Sequence, residues 1–499
     1  MSIVFDEKLD LFHLETEHTS YVIGLADKRT YVGHVYYGKR IRPQDMRYLL
    51  RVGEPPYVPS ENNRERCSFY DTFPFEYSGN GVGDYRESAI AVTTVEGQHA
   101  ILPTYVSYEI TKEKPLLAGL PSSFDRDKNA ETLIIHCTDS VLNVNVDLYY
   151  TVFEDTDMIT RSVHICNQDE EPIYLTKALS ACLDMDDNDY EMLTLHGSWA
   201  RERQMDRRAI GYGKTSVGSI KGESSHQEHP FMAWMTKNAT QTTGEVYAMH
   251  FIYSGNFIAQ LEKSQFDSIR AVMGIHPADF GWKLESGDAF DTPEVVLTYS
   301  ADGLGTMTRN FHDFYRNHLI RSKYRNQKRP VLINNWEATY FDFNTEKLLD
   351  IARTAAKHGI EMLVMDDGWF GHRNDDSTSL GDWFVNEEKI TGGLKYLVDE
   401  VNKLGLKFGI WMEPEMISPD SKLYKEHPDW AIAVKDRVGT LSRNQYVLDL
   451  SRKEVRDCIY DKIHAILSSA NIAYVKWDMN RQLTDMGSLM LPADRQGEL

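Results

Sequence analysis

The sequence predicts a multidomain chain, with an N-terminal antiparallel β-sandwich followed by a (β/α)8, TIM-type barrel of which about five strands are present. Three observations lead there. A length of 499 residues asks for two or three domains, each able to bury a core of its own. Up to about residue 300, short runs alternate apolar with polar side chains; beyond Pro330, continuous apolar runs alternate with stretches of helical spacing. Each of those later runs also ends in polar or aromatic residues, and a barrel collects its chemistry on that face.

In the first part, TSYVIGL, AIAVTTVEG, ETLIIHCTD, LNVNVDLYYTVFED, TRSVHICNQ, LTLHGSW, EVYAMHFIYSG and PEVVLTYS are period-2 runs cut by Gly, Asn and Asp turns. No repeat of fixed length is visible, so a large antiparallel sandwich is expected over 1–304. MTRNFHDFYRNHLI then takes helical spacing and is followed by the basic RSKYRNQKRP, which predicts a linker helix and a domain boundary within 305–329.

From 330 to 499 the runs VLINNW, EMLVMDDGW, LKFGIWMEPE, YVLDLS and AYVKWDMN are too continuous for half-solvated strands. Between them lie NTEKLLDIARTAAKHGI, LKYLVDEVNKLGL and RKEVRDCIYDKIHAILSSANI, two of which close on Gly359 and Gly405 as helix ends do. A doubly wound sheet would place its ligand at one switch point after a glycine-rich loop, and no such loop follows the first strand. Polar or aromatic residues end every run instead: Trp336 and Glu337, Asp366 and Asp367, Trp411 and Glu413, Asp449, Lys476 and Asp478. A barrel is therefore expected.

A formal charge of -21 argues against nucleic acid and anionic membrane as partners. Five cysteines, widely spaced, show neither a zinc spacing nor a disulfide framework, which fits a cytoplasmic, reducing compartment. The acidic N-terminus lacks the basic and apolar regions of a signal peptide, and no run approaches the roughly 20 apolar residues of a membrane span. No cofactor is called for.

Carboxylates among tryptophans, without a metal triad or a nucleophilic Ser or Cys motif, suit carbohydrate chemistry. Sugar hydroxyls bond to carboxylates and cations, sugar C–H faces stack on indole, and an oxocarbenium-like state needs a carboxylate beside it. On a strand, Lys476 and Asp478 share a face, so the expectation is that the lysine holds Asp478 ionised. A structural salt bridge at a barrel rim is the alternative for that pair, and a turn before Gly368 the alternative for Asp366–Asp367.

VMDDGWF, FGIWMEPEMISPDS, LSRNQYVLDLS and YVKWDMNR resemble the consecutive strand motifs of the α-galactosidases of glycoside hydrolase family 36, and RERCSFYDTFPFEYSGNGVGDYRESA and LHGSWARER extend the resemblance to most of the chain. It implies an N-terminal β-supersandwich, a catalytic barrel, homotetramers assembled through the sandwich, and a double displacement that retains configuration on α-1,6-linked galactose of melibiose- or raffinose-type sugars. It further implies Asp478 as nucleophile, with Asp366, Asp367, Trp411, Arg443 and Lys476 holding the galactose and Trp336 forming an aromatic wall. The family's general acid/base is an aspartate on a later strand, after a Cys- and Gly-rich strand end. The chain stops at Leu499 before it, so a piece of a longer enzyme is expected and the acid is left unassigned; Asp485 is too near in sequence, and Glu413 or Glu415 would need support from geometry. Two alternatives stay open: an α-N-acetylgalactosaminidase or α-galactosyl transglycosylase on the same fold, and a non-catalytic sugar-binding fragment.

Four further motifs carry less. DMDDNDYE opens like a calcium loop but has Asp189 where Gly belongs and Leu195 where Glu belongs. His226 and His229 lack a third ligand at fitting spacing, and the glycines of SGNGVGDYRE precede a strand rather than a phosphate-cradling helix. The sequon at Asn238 has no secretory signal to give it meaning.

Overall fold

The computed structural model describes residues 2–50 and 70–499, so Cys67 and the start of the RERCSFYDTFPFEY segment lie outside the described residues. The chain forms two compact units, Met1–Arg325 and Asn326–Leu499.

The first unit contains an antiparallel meander of four strands and larger antiparallel sheets of six and ten strands. The strand Val144–Phe153 shows why these residues make a sandwich. Val144, Val146, Leu148 and Tyr150 are fully buried, whereas Asn145 is exposed and Asp147 and Tyr149 are half-buried. The period-2 pattern thus turns one face to a core shared with Phe12, Leu183, Trp234 and Val272. The helix Gly303–Phe314 buries Leu304, Met307, Phe311 and Phe314 against Ala233, Met235 and Val296, so its apolar stripe belongs to the packing of this unit.

Charges sit inside this sandwich as well. Glu76, with no exposed surface, accepts hydrogen bonds from Tyr21, Tyr150 and His34 and pairs with Arg161 at 3.2 Å. Asp84 and Asp184 are bridged by Arg270 and Arg86, which pins the irregular segment after Tyr70 to the sheet. Gly81 and Gly83 turn that segment at φ 78° and 105°. The acids of DMDDNDYE are consumed by cations: Asp184 by Arg270, Asp187 by Lys263 and Asp189 by Lys237. His229 stacks on His250. Cys137, Cys166, Cys182 and Cys458 are unbridged. No helix among the described residues is long and apolar enough to cross a membrane.

In the second unit, β1 (Leu332–Asn334), β2 (Met362–Met365), β3 (Lys407–Met412) and β4 (Ile472–Trp477) form a parallel sheet in that order. The helices Thr345–Lys357, Gly393–Lys403 and Lys453–Ser468 lie between them in sequence. The first starts where Asn344 accepts from the Lys347 N–H, and Gly359 and Gly405 follow the first two helices at φ 77° and 83°. Leu348, Leu349, Ala352 and Ala355 are the buried stripe of the first helix, in one core with Leu363, Phe408 and Ile410.

Two expectations are corrected. YVLDLS is not in the parallel sheet; Tyr446–Val447 pairs antiparallel with Met416–Ile417. Both edges of β3 are taken, by β2 and β4, so no parallel slot remains for it there. And β4 is less buried than expected: Tyr474 is 40 % and Trp477 55 % exposed, and among the described residues β3 is the strand it pairs with.

Candidate active site

The carboxyl ends of the four parallel strands carry five of the expected residues in two hydrogen-bonded groups, Asp366 with Asp367 and Lys476, and Asp478 with Trp411. Asp366, directly after β2, is 3 % exposed and is the hub. Its Oδ2 accepts from Lys476 Nζ on β4 at 2.9 Å and from Asn334 Nδ2 at the end of β1. Its Oδ1 accepts from the Asp367 N–H at 2.9 Å, and its own N–H donates to Asn335 Oδ1 at 2.7 Å. One carboxylate therefore draws together groups from three strand ends, and with two cationic or amide donors on Oδ2 it is held in a single orientation.

Asp478, just past β4, is half-buried. Its Oδ2 accepts from the Trp411 indole N–H at 2.9 Å and from Asn480 Nδ2 at 2.7 Å, while Oδ1 has no hydrogen-bond partner among the described residues. The expected Lys476–Asp478 pair is not formed. Asp478 lies one residue past the end of β4; the long lysine reaches past β3 to Asp366, and the short aspartate turns to Trp411.

Asp367 is clasped by Arg373, Nε to Oδ1 at 2.6 Å and Nη2 to Oδ2 at 2.8 Å. Burial pushes its carboxyl above the usual range, with the Arg373 guanidinium opposing. Trp411 is 2 % exposed, its ring stacked on Phe370 at 6.1 Å, so its N–H rather than its face is what it presents. Trp336 is half-buried and meets Tyr340 and Phe341 edge-on at 5.2 and 5.0 Å. Arg443 is exposed at φ 50° and makes no hydrogen bond or ion pair to any described residue. The structure gives it no contact with the cluster.

The remaining carboxylates act as struts. Glu413, 1 % exposed, accepts through Oε1 from Gln445 Nε2 at 2.9 Å and from the Asn480 N–H at 2.8 Å, and burial raises its pKa. It thereby holds Asn480, which in turn holds Asp478. Glu415 accepts from Trp477 Nε1, Asp485 from the Thr440 N–H, and buried Asp449 from Ser451 and Ser488. None of these four is presented as a free proton donor, and Asp449 belongs to the loop packing rather than to the cluster.

Residues 30–285 match the glycosyl hydrolase family 36 N-terminal domain, and residues 289–499 match the Melibiase family. The chain belongs to glycosyl hydrolase family 36. It is 46 % identical to α-galactosidase AgaA of Geobacillus stearothermophilus and 44 % identical to α-galactosidase Mel36A of Lactobacillus acidophilus, over 100 % and 99 % of its own length and 68 % of each relative's. The crystal structure of the G. stearothermophilus α-galactosidase AgaB superposes with a TM-score of 0.97 at 45 % identity, covering 100 % of this chain and 68 % of that one. A variant of AgaA solved with raffinose superposes at 0.96 with 46 % identity, covering 98 % and 68 %. The N-terminal domain and parallel catalytic sheet of this family 36 chain are thus the ones the two matched families describe.

Sequence reading missed three residues that hold the site carboxylates in this family 36 chain: Arg373, Asn334 and Asn480. Arg373 sits in GHRNDD, six positions beyond Asp367, near enough along the chain for the two side chains to meet. Asn480 lies two positions beyond Asp478, within side-chain reach along the chain.

Proposed function

We propose that the chain carries the sugar-binding and nucleophilic residues of a retaining α-galactosidase acting on terminal α-1,6-linked galactose of raffinose-type oligosaccharides. The observation that supports this most directly is the state of Asp478, with Oδ2 fixed by two N–H donors and Oδ1 free. A nucleophile needs one oxygen aimed and unencumbered while the other is held. Oδ1 attacks the anomeric carbon, the bond to the leaving oxygen breaks, and that oxygen takes a proton from a general acid. Water then attacks the same carbon with loss of a proton to the conjugate base, the ester bond to Asp478 breaks, and two inversions give retention.

Asp366, Asp367 and Lys476 hold sugar hydroxyls, Trp411 orients Asp478, Trp336 forms the aromatic wall, and Arg443 reaches the substrate from its loop. The carbohydrate replaces water at a rim whose polar groups are already aligned, so little reorganisation opposes the charge that develops at the anomeric carbon. The protein acts in the cytoplasm, in keeping with the four cysteines that are unbridged among the described residues, as a homotetramer joined through the N-terminal unit, where Trp199 is 85 % and Tyr212 70 % exposed. The acidic chain takes neither nucleic acid nor membrane as partner.

The test is to mix protein expressed from its full gene with an activated α-galactoside, quench, and map the galactosyl ester by peptide mass spectrometry. The ester is expected on Asp478. An ester on another carboxylate, or full turnover by Asp478→Asn, refutes the assignment.

A further inference from the structure

We propose that Lys389 is a positioning residue for galactoside binding, its ammonium stapling the loop behind the Trp336 wall to the loop that carries Asp367. The proposal rests on the sugar-binding role given above to that end of the sheet.

Lys389 Nζ donates to three backbone carbonyls: Phe341 O at 2.9 Å, Arg373 O at 3.0 Å and Gly368 O at 3.1 Å. Those three bonds use all the donors an ammonium has. No carboxylate among the described residues lies within ion-pair distance of it, so this cation is committed to main chain. The carbonyls come from two places. Phe341 belongs to the segment after β1 and packs edge-on against Trp336. Gly368 and Arg373 are the two ends of the loop after β2: Asp367 immediately precedes the first, and the second clasps Asp367 through its own side chain. Fixing both carbonyls therefore fixes the frame of the Asp367–Arg373 pair.

The lysine is itself anchored. Its N–H donates to Asn386 Oδ1 at 3.2 Å, its carbonyl accepts from the Thr345 N–H, and its ammonium lies 5.1 Å from the centre of the Phe343 ring. The two loops also meet closely here. Gly368 stands at φ 106°, and a Cβ on it would come within 3.0 Å of the Phe341 ring and 3.3 Å of the Phe343 ring. Without the ammonium, three carbonyl dipoles would face one another across this contact, and the loops would part.

The experiment uses Lys389→Ala, with Lys389→Gln as a milder second variant, in protein expressed from the full gene. KM and kcat on an aryl α-galactoside, inhibition by 1-deoxygalactonojirimycin and Tm are measured with and without propylammonium, and with tetramethylammonium at equal ionic strength as the cation that cannot donate. The expected result is a rise of about 10- to 100-fold in KM and in the inhibition constant, as for a displacement of order 1 Å, with kcat changed much less. Propylammonium restores binding in Lys389→Ala and tetramethylammonium does not. A fall in Tm with KM and inhibition unchanged overturns the proposal, as does failure of propylammonium to restore either. If the unaltered protein neither turns over nor binds the iminosugar, the function proposed above has failed. The staple is then judged by Tm alone: a rise in the variant's Tm with propylammonium only supports it, and no rise overturns it.

Discussion

Replacing Lys476 by methionine keeps a long side chain and removes its charge, which isolates what the ammonium does for Asp366. After the change Asp366 stays buried and keeps the donors from Asn334 and the Asp367 N–H, but loses the 2.9 Å bond from Nζ. A hydrogen bond between charged groups contributes about 1.5–3 kcal/mol. The Lys476 side chain is 38 % exposed, so water screens the pair and partly replaces it, which favours the lower end of that range. About 1.5 kcal/mol corresponds to roughly a tenfold loss of affinity for a ligand that needs Asp366 in place. The same loss lowers Tm by about 3–6 °C, taking the second unit as an independent domain. The assay is inhibition by 1-deoxygalactonojirimycin beside a thermal melt, on protein expressed from its full gene. An inhibition constant within twofold of the unaltered protein, with unchanged Tm, would show that Asp366 is oriented by its other donors and that the bridge between β2 and β4 is ornamental.

Other outcomes follow from the same structure. Trp411→Phe removes the N–H on Asp478 Oδ2 and, because the ring is buried, also leaves a small cavity, so kcat should fall by about 10-fold or more and Tm should drop as well; equal kcat refutes the orienting role. Arg270→Met leaves Asp84 and Asp184 buried with one fewer cation and should cost about 3–5 kcal/mol in a urea or thermal melt; a loss below about 1 kcal/mol refutes it. Burial opposes ionisation of Glu87, yet Lys177 and Lys214 hold its carboxyl down at about 2, below its ordinary 4.5. A depressed carboxyl stabilises the fold above its unfolded value and loses that contribution as pH falls towards the folded one. The gap between the unaltered protein and Glu87→Gln should therefore be about 1–2 kcal/mol above pH 5, after allowance for screening, and close between about pH 4.5 and 2 in pH-dependent melts. A gap that persists at low pH would place the effect in packing instead.

The architecture was legible because periodicity survives in the sequence. Val144, Val146, Leu148 and Tyr150 alternate in burial as their spacing says, and KHGI and KLGL end helices as written. YVLDLS was misread because a short apolar run looks alike whether it is a sheet strand or a buried loop. That Lys476 and Asp478 stand at the end of an apolar run was legible, but choice of partner was not. Reach through space decided that, and the lysine's partner lies 110 positions away in the chain. The supporting donors were hidden for a related reason: Asn334, Arg373 and Lys389 are ordinary polar residues in the sequence and acquire meaning only when separate loops converge.

The four-charge network of the sandwich has a consequence for how such a protein can change. Arg270 bridges Asp84 and Asp184, and Arg86 touches both of the same acids. Removing any one member leaves its buried partners with one fewer opposite charge, so single steps through sequence space are penalised although a wholly apolar replacement could be tolerated. These four positions are therefore expected to drift together or stay put: a library that varies them singly will return the parent residue, and only simultaneous randomisation of all four can reveal other solutions.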